Sequence, residues 1–238
     1  MMNSKMISIH QPDFFPWPGF FNKYLKSDIF VVLDDVHLSI GKNDWTNRTL
    51  VNFYGEKKWL TMPVAKKNRG LKTLKELNYL DCKMSAQRIL NQCKEYYRDR
   101  PHYKEVFEFM KHCQNVESEN LIEYNMNIIM NLIEYLKLPL IPIIFSSQLG
   151  SKKQGSLRIV EIIQILKSTD YLSGSGGKNY LRENLFKENG INLHYNNFFQ
   201  NFYPQKHLSS FMGGLSIIDL MMELGPDNAS DYLLSSRC

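Results

Sequence analysis

Residues 6–36, MISIHQPDFFPWPGFFNKYLKSDIFVVLDDV, decide how the rest of the chain is read. Met6–His10 is strand-like and stops where prolines begin. Pro12, Pro16 and Pro18 each remove a backbone donor and fix φ, so no regular element runs through residues 11–18. Gly19–Ser27 then places Phe20 and Tyr24 on one helical face. Asp28–Val36 is a continuous apolar run ending in two carboxylates, the pattern of a buried parallel strand. Strand, stiff loop, helix and strand within about thirty residues have the size of a βαβ unit.

Working outward, the alternation continues. TNRTLVNF and KKWLTMPV flank the turn Tyr54-Gly55-Glu56 and read as a β-hairpin. From about Leu74 to Leu138 the chain turns helical, with Pro101 and Pro139 as breaks. This stretch is an inserted subdomain or a layer on the sheet. Its amphipathic run 118–138 offers a core face or a homodimer contact. PLIPIIFSS, DYLSGSGG and INLHYNNF read as strands, with helices in SLRIVEIIQILKST and NYLRENLFKENG. SIIDLMMELG is a last helix closed by Gly225. The expectation is one α/β domain over 1–238: a mainly parallel, α-covered sheet with a β-hairpin and a helical insertion.

The 238 residues, 43% hydrophobic and 22% charged, suit a globular protein with a sizeable core. A net charge of +5 without a basic stripe argues against a nucleic-acid partner, and the cluster Lys66, Lys67 and Arg69 is its main basic loop. The modest positive field fits an anionic substrate such as a nucleotide. Cys82, Cys93, Cys113 and Cys238 lack metal-knuckle spacing and read as free thiols, and no signal peptide is recognisable. The longest apolar run, 136–145, is too short and proline-broken for a membrane span. A cytoplasmic location follows from these readings. GxSxG and HExxH are absent, and no metal site is expected.

Ligands of parallel sheets gather at the carboxyl ends of strands. His10 and Gln11 follow the first strand, Asp34 and Asp35 close the second, and Ser173–Gly177 follow a later one. His10 is either a satisfied loop histidine or a base or phosphate ligand. Asp34 and Asp35 either cap a strand end or supply one functional carboxylate. SGSGG is either a plain turn or an anion cradle next to a helix N-terminus. The run HYNNFFQNFYPQ (194–205) reads as a ligand wall or an edge strand.

The block IHQPDFFPWPGFFNKYLKSDIFVVLDDV, followed by WTNR at 45–48, YLSGSGGKNYL, GI at 190–191, YPQ at 203–205 and LSIIDLMMELG, resembles the WbqC-like family in the same order. Pro18 departs from the small aliphatic residue expected there. The resemblance implies modification of a nucleotide-linked amino sugar for O-antigen or other surface-polysaccharide synthesis, by N-acyl or aminoacyl transfer. The donor implied is a CoA or carrier-protein thioester, with an acyl-carrier protein as a partner. In this scheme His10, helped by Asp34 or Asp35, takes the amine proton. Asn47, Arg48 and the Ser173, Gly174, Gly176 and Gly177 backbone hold the pyrophosphate or oxyanion. Lys23 reaches a phosphate or carboxylate; Gln11 and Trp17 flank the site; Tyr180, Tyr203 and Gln205 line the sugar pocket. The strand–His loop–helix order is also similar to nucleotidyltransferases of the HIGH type, although only one loop histidine is present. That likeness implies ATP and adenylation of a carboxylic acid. A non-catalytic factor binding a nucleotide sugar or carrier protein is the third expectation.

Overall fold

The computed structural model of the protein describes residues 4–38, 44–65 and 69–236. Lys66, Lys67 and Cys238 lie outside them.

The opening stretch folds as its pattern dictates: β1 (Met6–His10), an extended loop, α1 (Pro18–Leu25) and β2 (Ile29–Val32). Pro18 occupies the first turn of α1, where its missing N–H costs nothing. The second strand is shorter than the apolar run, because at Asp34 the chain leaves the sheet. β3 (Arg48–Phe53) and β4 (Glu56–Thr61) form the expected antiparallel hairpin. Three helices follow: α2 (Cys82–Tyr97), α3 (Tyr103–Cys113) and α4 (Leu121–Tyr135). Then come β5 (Ile143–Phe145), α5 (Gly155–Ile165), β6 (Asp170–Gly174), α6 (Glu183–Glu188), β7 (Asn192–Asn196), α7 (Ile217–Leu224) and α8 (Pro226–Ser235).

The five sheet strands are parallel, in the order β5-β2-β1-β6-β7. The chain is therefore α/β, a mainly parallel helix-flanked sheet with a separate hairpin. Alternation along β1 and β2 builds two cores. Ile7, Ile9, Ile29 and Val31 pack with Val160, Ile162 and Ile163 of α5 and Phe186 of α6. Phe30 and Val32 point the other way, into a larger core shared by α1, the hairpin, α2–α4, α7 and α8. The helical stretch thus packs continuously with the sheet, and Leu121, Ile128, Ile129 and Leu132 of α4 are buried within it.

The sheet order reverses between β1 and β6, since β1 continues to β2 on one side and the later strands extend on the other. Pairing of β1 with β6 ends at Ser8–Leu172, whereas β6 with β7 runs on to Gly174–Asn196. Past Ser8 the two central strands part, and a crevice opens at their carboxyl ends.

Candidate functional site

A cavity of about 640 Å³ occupies that crevice. Its volume falls within the roughly 300–1,000 Å³ typical of small-molecule sites. Residues from β1 and its loop (His10, Gln11, Asp13, Trp17), from α1 (Lys23) and from β6 and the turn after it (Ser173–Gly177, Tyr180) line it together. Asp44, Trp45, Thr46 and Gly214 complete the rim.

The proline-rich loop is held rigidly. Phe15 has φ +44°, a left-handed conformation that costs a bulky residue about 1–3 kcal/mol. Its carbonyl accepts from Thr49 Oγ1 at 2.8 Å and Ser216 Oγ at 2.9 Å. The Pro16 carbonyl accepts from Ile217 N, and Phe14 N donates to the Trp45 carbonyl, both at 2.8 Å. Asn125 Nδ2 donates to the Pro12 carbonyl at 2.8 Å and the Thr46 carbonyl at 2.6 Å, while Tyr79 OH donates to Asn125 Oδ1 at 2.8 Å. Phe14 and Phe15 are fully buried. The rings anchor the loop, and the hydrogen bonds fix its path between sheet, hairpin and helices.

That path positions four polar side chains. His10 Nδ1 lies 2.8 Å from the Gln11 carbonyl. A carbonyl only accepts, so Nδ1 carries the proton and Nε2 keeps a free lone pair. Although 31% of the side chain is accessible, burial and then the Lys23 charge lower the His10 pKa to about 3. The imidazole is neutral at pH 7. Thr46 Oγ1 donates to Gln11 Oε1 at 2.9 Å, which fixes the amide. Lys23 Nζ donates to the Ile9 carbonyl at 2.8 Å, one residue past the end of the β1–β6 pairing. Burial lowers its pKa to about 7, against the attraction of Asp13. Asp13 is buried; desolvation and then Asp44 push its pKa well up, while Lys23 pulls it down.

On the opposite wall, Ser173 is buried and its hydroxyl donates to the Gly174 carbonyl at 3.1 Å. A Cβ on Gly177 would lie 2.1 Å from Ser173 Oγ, so the last glycine of SGSGG is required by close packing. The segment Ser175–Asn179 is a 3-10 turn, and α6 starts only at Glu183. The cradle is therefore backbone in a tight turn, without the adjoining helix N-terminus that the sequence led us to expect. Tyr180 stands 67% exposed at the mouth. Trp17 lies over Gly19, where an added Cβ would come 2.2 Å from the indole, and meets Phe198 edge to face.

The other expected site residues lie elsewhere. Asp34 accepts from Ser146 Oγ (3.0 Å), Ser147 N (2.9 Å) and Ser147 Oγ (2.5 Å). Asp35 takes Arg158 and Ser146; their hydrogen bonds hold its carboxyl below the usual range despite desolvation. Neither lines the cavity, and the carboxyl facing His10 is Asp13, with Oδ1 3.9 Å from Nδ1. Asn47 Nδ2 donates to the Met62 carbonyl at 2.8 Å and pins the hairpin. Arg48 donates to the Asp44 carbonyl at 2.9 Å and stacks 4.2 Å over Trp59. Tyr203 and Gln205 donate to buried Asp219 at 2.7 and 3.0 Å, in a node shared with Tyr97. Sequence reading passed over Asp13, although an acid among prolines and aromatic rings was a usable signal.

The model of the WbqC-like protein family matches residues 11–231. The chain is also 25% identical to an uncharacterized protein of Mycobacterium tuberculosis, Rv1507c, over 98% of this chain and 99% of the relative. No solved structure matches the chain.

Proposed function

We propose a sugar-modifying activity from one premise: this chain belongs to the WbqC-like protein family. In this reading the protein is a cytoplasmic enzyme that transfers an acyl or aminoacyl group to the amine of a nucleotide-linked sugar, in surface-polysaccharide synthesis. The observation that supports it is the meeting of His10 and Gln11 with Ser173–Gly177 across one cavity, where the sheet order reverses.

The backbone of 173–177 and the lysine face of the cavity take the phosphates; Trp17 and Tyr180 flank the base or sugar. The sugar nitrogen attacks the donor thioester carbon. The C–N bond forms, the C–S bond breaks, the nitrogen's proton passes to His10 Nε2 and then to the leaving thiolate. An imidazole with a pKa near 3 is a weak base until an anion arrives; the nucleotide phosphates raise it toward the working pH.

Incubation with a dTDP-linked amino sugar and an acyl thioester should yield a new amide by mass spectrometry. His10→Ala should lower turnover by about 10²–10⁴-fold. Binding without turnover for any donor would sink the transferase reading. The same strand order with His10 as the last residue of the first strand favours a second reading, adenylation of a carboxylic acid. ATP-dependent release of pyrophosphate would select it.

A further inference from the structure

The cavity's charged lining is unbalanced. Among its described residues it holds two carboxyls, Asp13 and Asp44, and one ammonium, Lys23. Asp44 Oδ1 accepts from Thr46 N at 2.9 Å. Lys23 is held by the Ile9 carbonyl rather than by a carboxylate. Asp13 is 4% exposed, lines the cavity, and makes no hydrogen bond among the described residues; Nδ1 of the neutral His10 ring lies 3.9 Å from its Oδ1. A buried carboxyl in that condition carries a desolvation cost that, among the described residues, no hydrogen bond offsets and the Lys23 charge offsets only in part. A ligand cation would offset it.

We infer that Asp13 is the receptor for the ammonium group of the sugar, so that the site selects an amine over a hydroxyl at the reacting carbon. The inference deepens the reading above and rests on it. It also orients the ligand: the amine goes to the Asp13–His10 side, and the phosphates go to the turn 173–177. Once the ammonium has given one proton to the Asp13 carboxylate, the free amine sits beside the neutral imidazole that takes its second proton as the C–N bond forms.

Proton accounting supports the arrangement. The groups facing Asp13 are Lys23 of α1, His10 of β1 and Asp44 of the segment before β3. Burial shifts the Asp13 carboxyl up and the Lys23 ammonium down to about 7, while each attracts the charged form of the other. A ligand ammonium beside Asp13 is a second cation in the cavity; it favours the ionised carboxyl, lowers the Lys23 pKa further and so expels a proton. A hydroxyl ligand does not.

The test uses two dTDP-sugars that differ only in an amine or a hydroxyl at one carbon, titrated calorimetrically at pH 7 into the full chain. Wild type should favour the amine by roughly 10–100-fold, the worth of a hydrogen-bonded charge. Asp13→Asn should lose the preference, so that the amine and hydroxyl sugars bind it within a few-fold of each other. Titrations of wild type in buffers of different ionisation enthalpy should show proton release with the amine alone, and need no variant. Equal binding of both sugars by wild type, a preference that survives in Asp13→Asn, or equal proton release overturns the inference alone. Failure of wild type to bind either sugar overturns the nucleotide-sugar reading as well.

Discussion

Carboxyls stand at two places along the carboxyl edge of the same sheet, and the two places are opposite in character. Behind β2, Asp34 accepts from two serine hydroxyls and a backbone N–H, and Asp35 takes Arg158 and Ser146. Behind β1, Asp13 is as deeply buried as Asp34 but has no hydrogen bond among the described residues and faces a cavity. A saturated carboxylate ties the segment after β5 to the end of β2 and has little left to offer a ligand. An unsaturated one costs the free protein stability and keeps its lone pairs for what enters the site. Position at a strand end does not separate these roles; partner saturation does.

The contrast predicts opposite signs for the same kind of substitution. The largest effect belongs to the saturated side. Asp34→Ala leaves Ser147 N–H and Ser147 Oγ without their acceptor, Ser146 keeping Asp35, and should destabilise by roughly 3 kcal/mol in denaturant titration. An unchanged midpoint would mean that this network is dispensable.

On the unsaturated side, Asp13→Asn should raise the melting temperature at pH 7. The folded-state pKa of Asp13 is above its unfolded value, so ionisation stabilises the unfolded chain more, and the stability deficit grows as pH rises above about 4. The advantage of the variant should therefore widen from pH 4 to 7. Asp35 runs the other way: its depressed pKa gives stability above pH 4 that is lost on acidification, and Asp35→Asn should cost most near neutrality. A pH-independent gap for Asp13→Asn would break the comparison.

Smaller effects sharpen it. Thr49→Ala and Ser216→Ala each remove one donor from the strained Phe15 carbonyl and should cost about 1 kcal/mol, with a weaker ligand interaction as the loop loosens. Lys23→Met should raise the His10 pKa from about 3, because it removes the cation that follows burial as a cause of its depression; an NMR titration of the imidazole reads this. A fall in that pKa would contradict the assignment of Lys23.

Much of the fold is written in local pattern. The βαβ opening, the hairpin and the strand–helix alternation follow from apolar period and proline placement, and the parallel sheet follows from them. Two departures have physical reasons. The helix closed by Gly225 reads as the last, yet a proline in the first turn also starts a helix, and α8 begins at Pro226. The helix expected over 179–190 shrinks to Glu183–Glu188 because the chain first makes the 3-10 turn that packs Gly177 on Ser173. The site was half legible. His10, Gln11, Trp17, Lys23 and the glycine turn meet because strand-end logic depends only on topology. Asp34, Asp35, Asn47, Tyr203 and Gln205 have partners that lie far along the chain, such as Ser146, Met62 and Asp219, and no local spacing reveals such partners.

Backbone amide shifts followed by NMR during titration with a dTDP-linked amino sugar test the central claim most directly. The account predicts movement at His10, Gln11, Asp13 and Gly174–Gly177, with Asp34, Asp35 and Ser146 unmoved. Shifts centred on Asp34, Asp35 and Ser146 instead, or no shifts at saturating ligand, would contradict it.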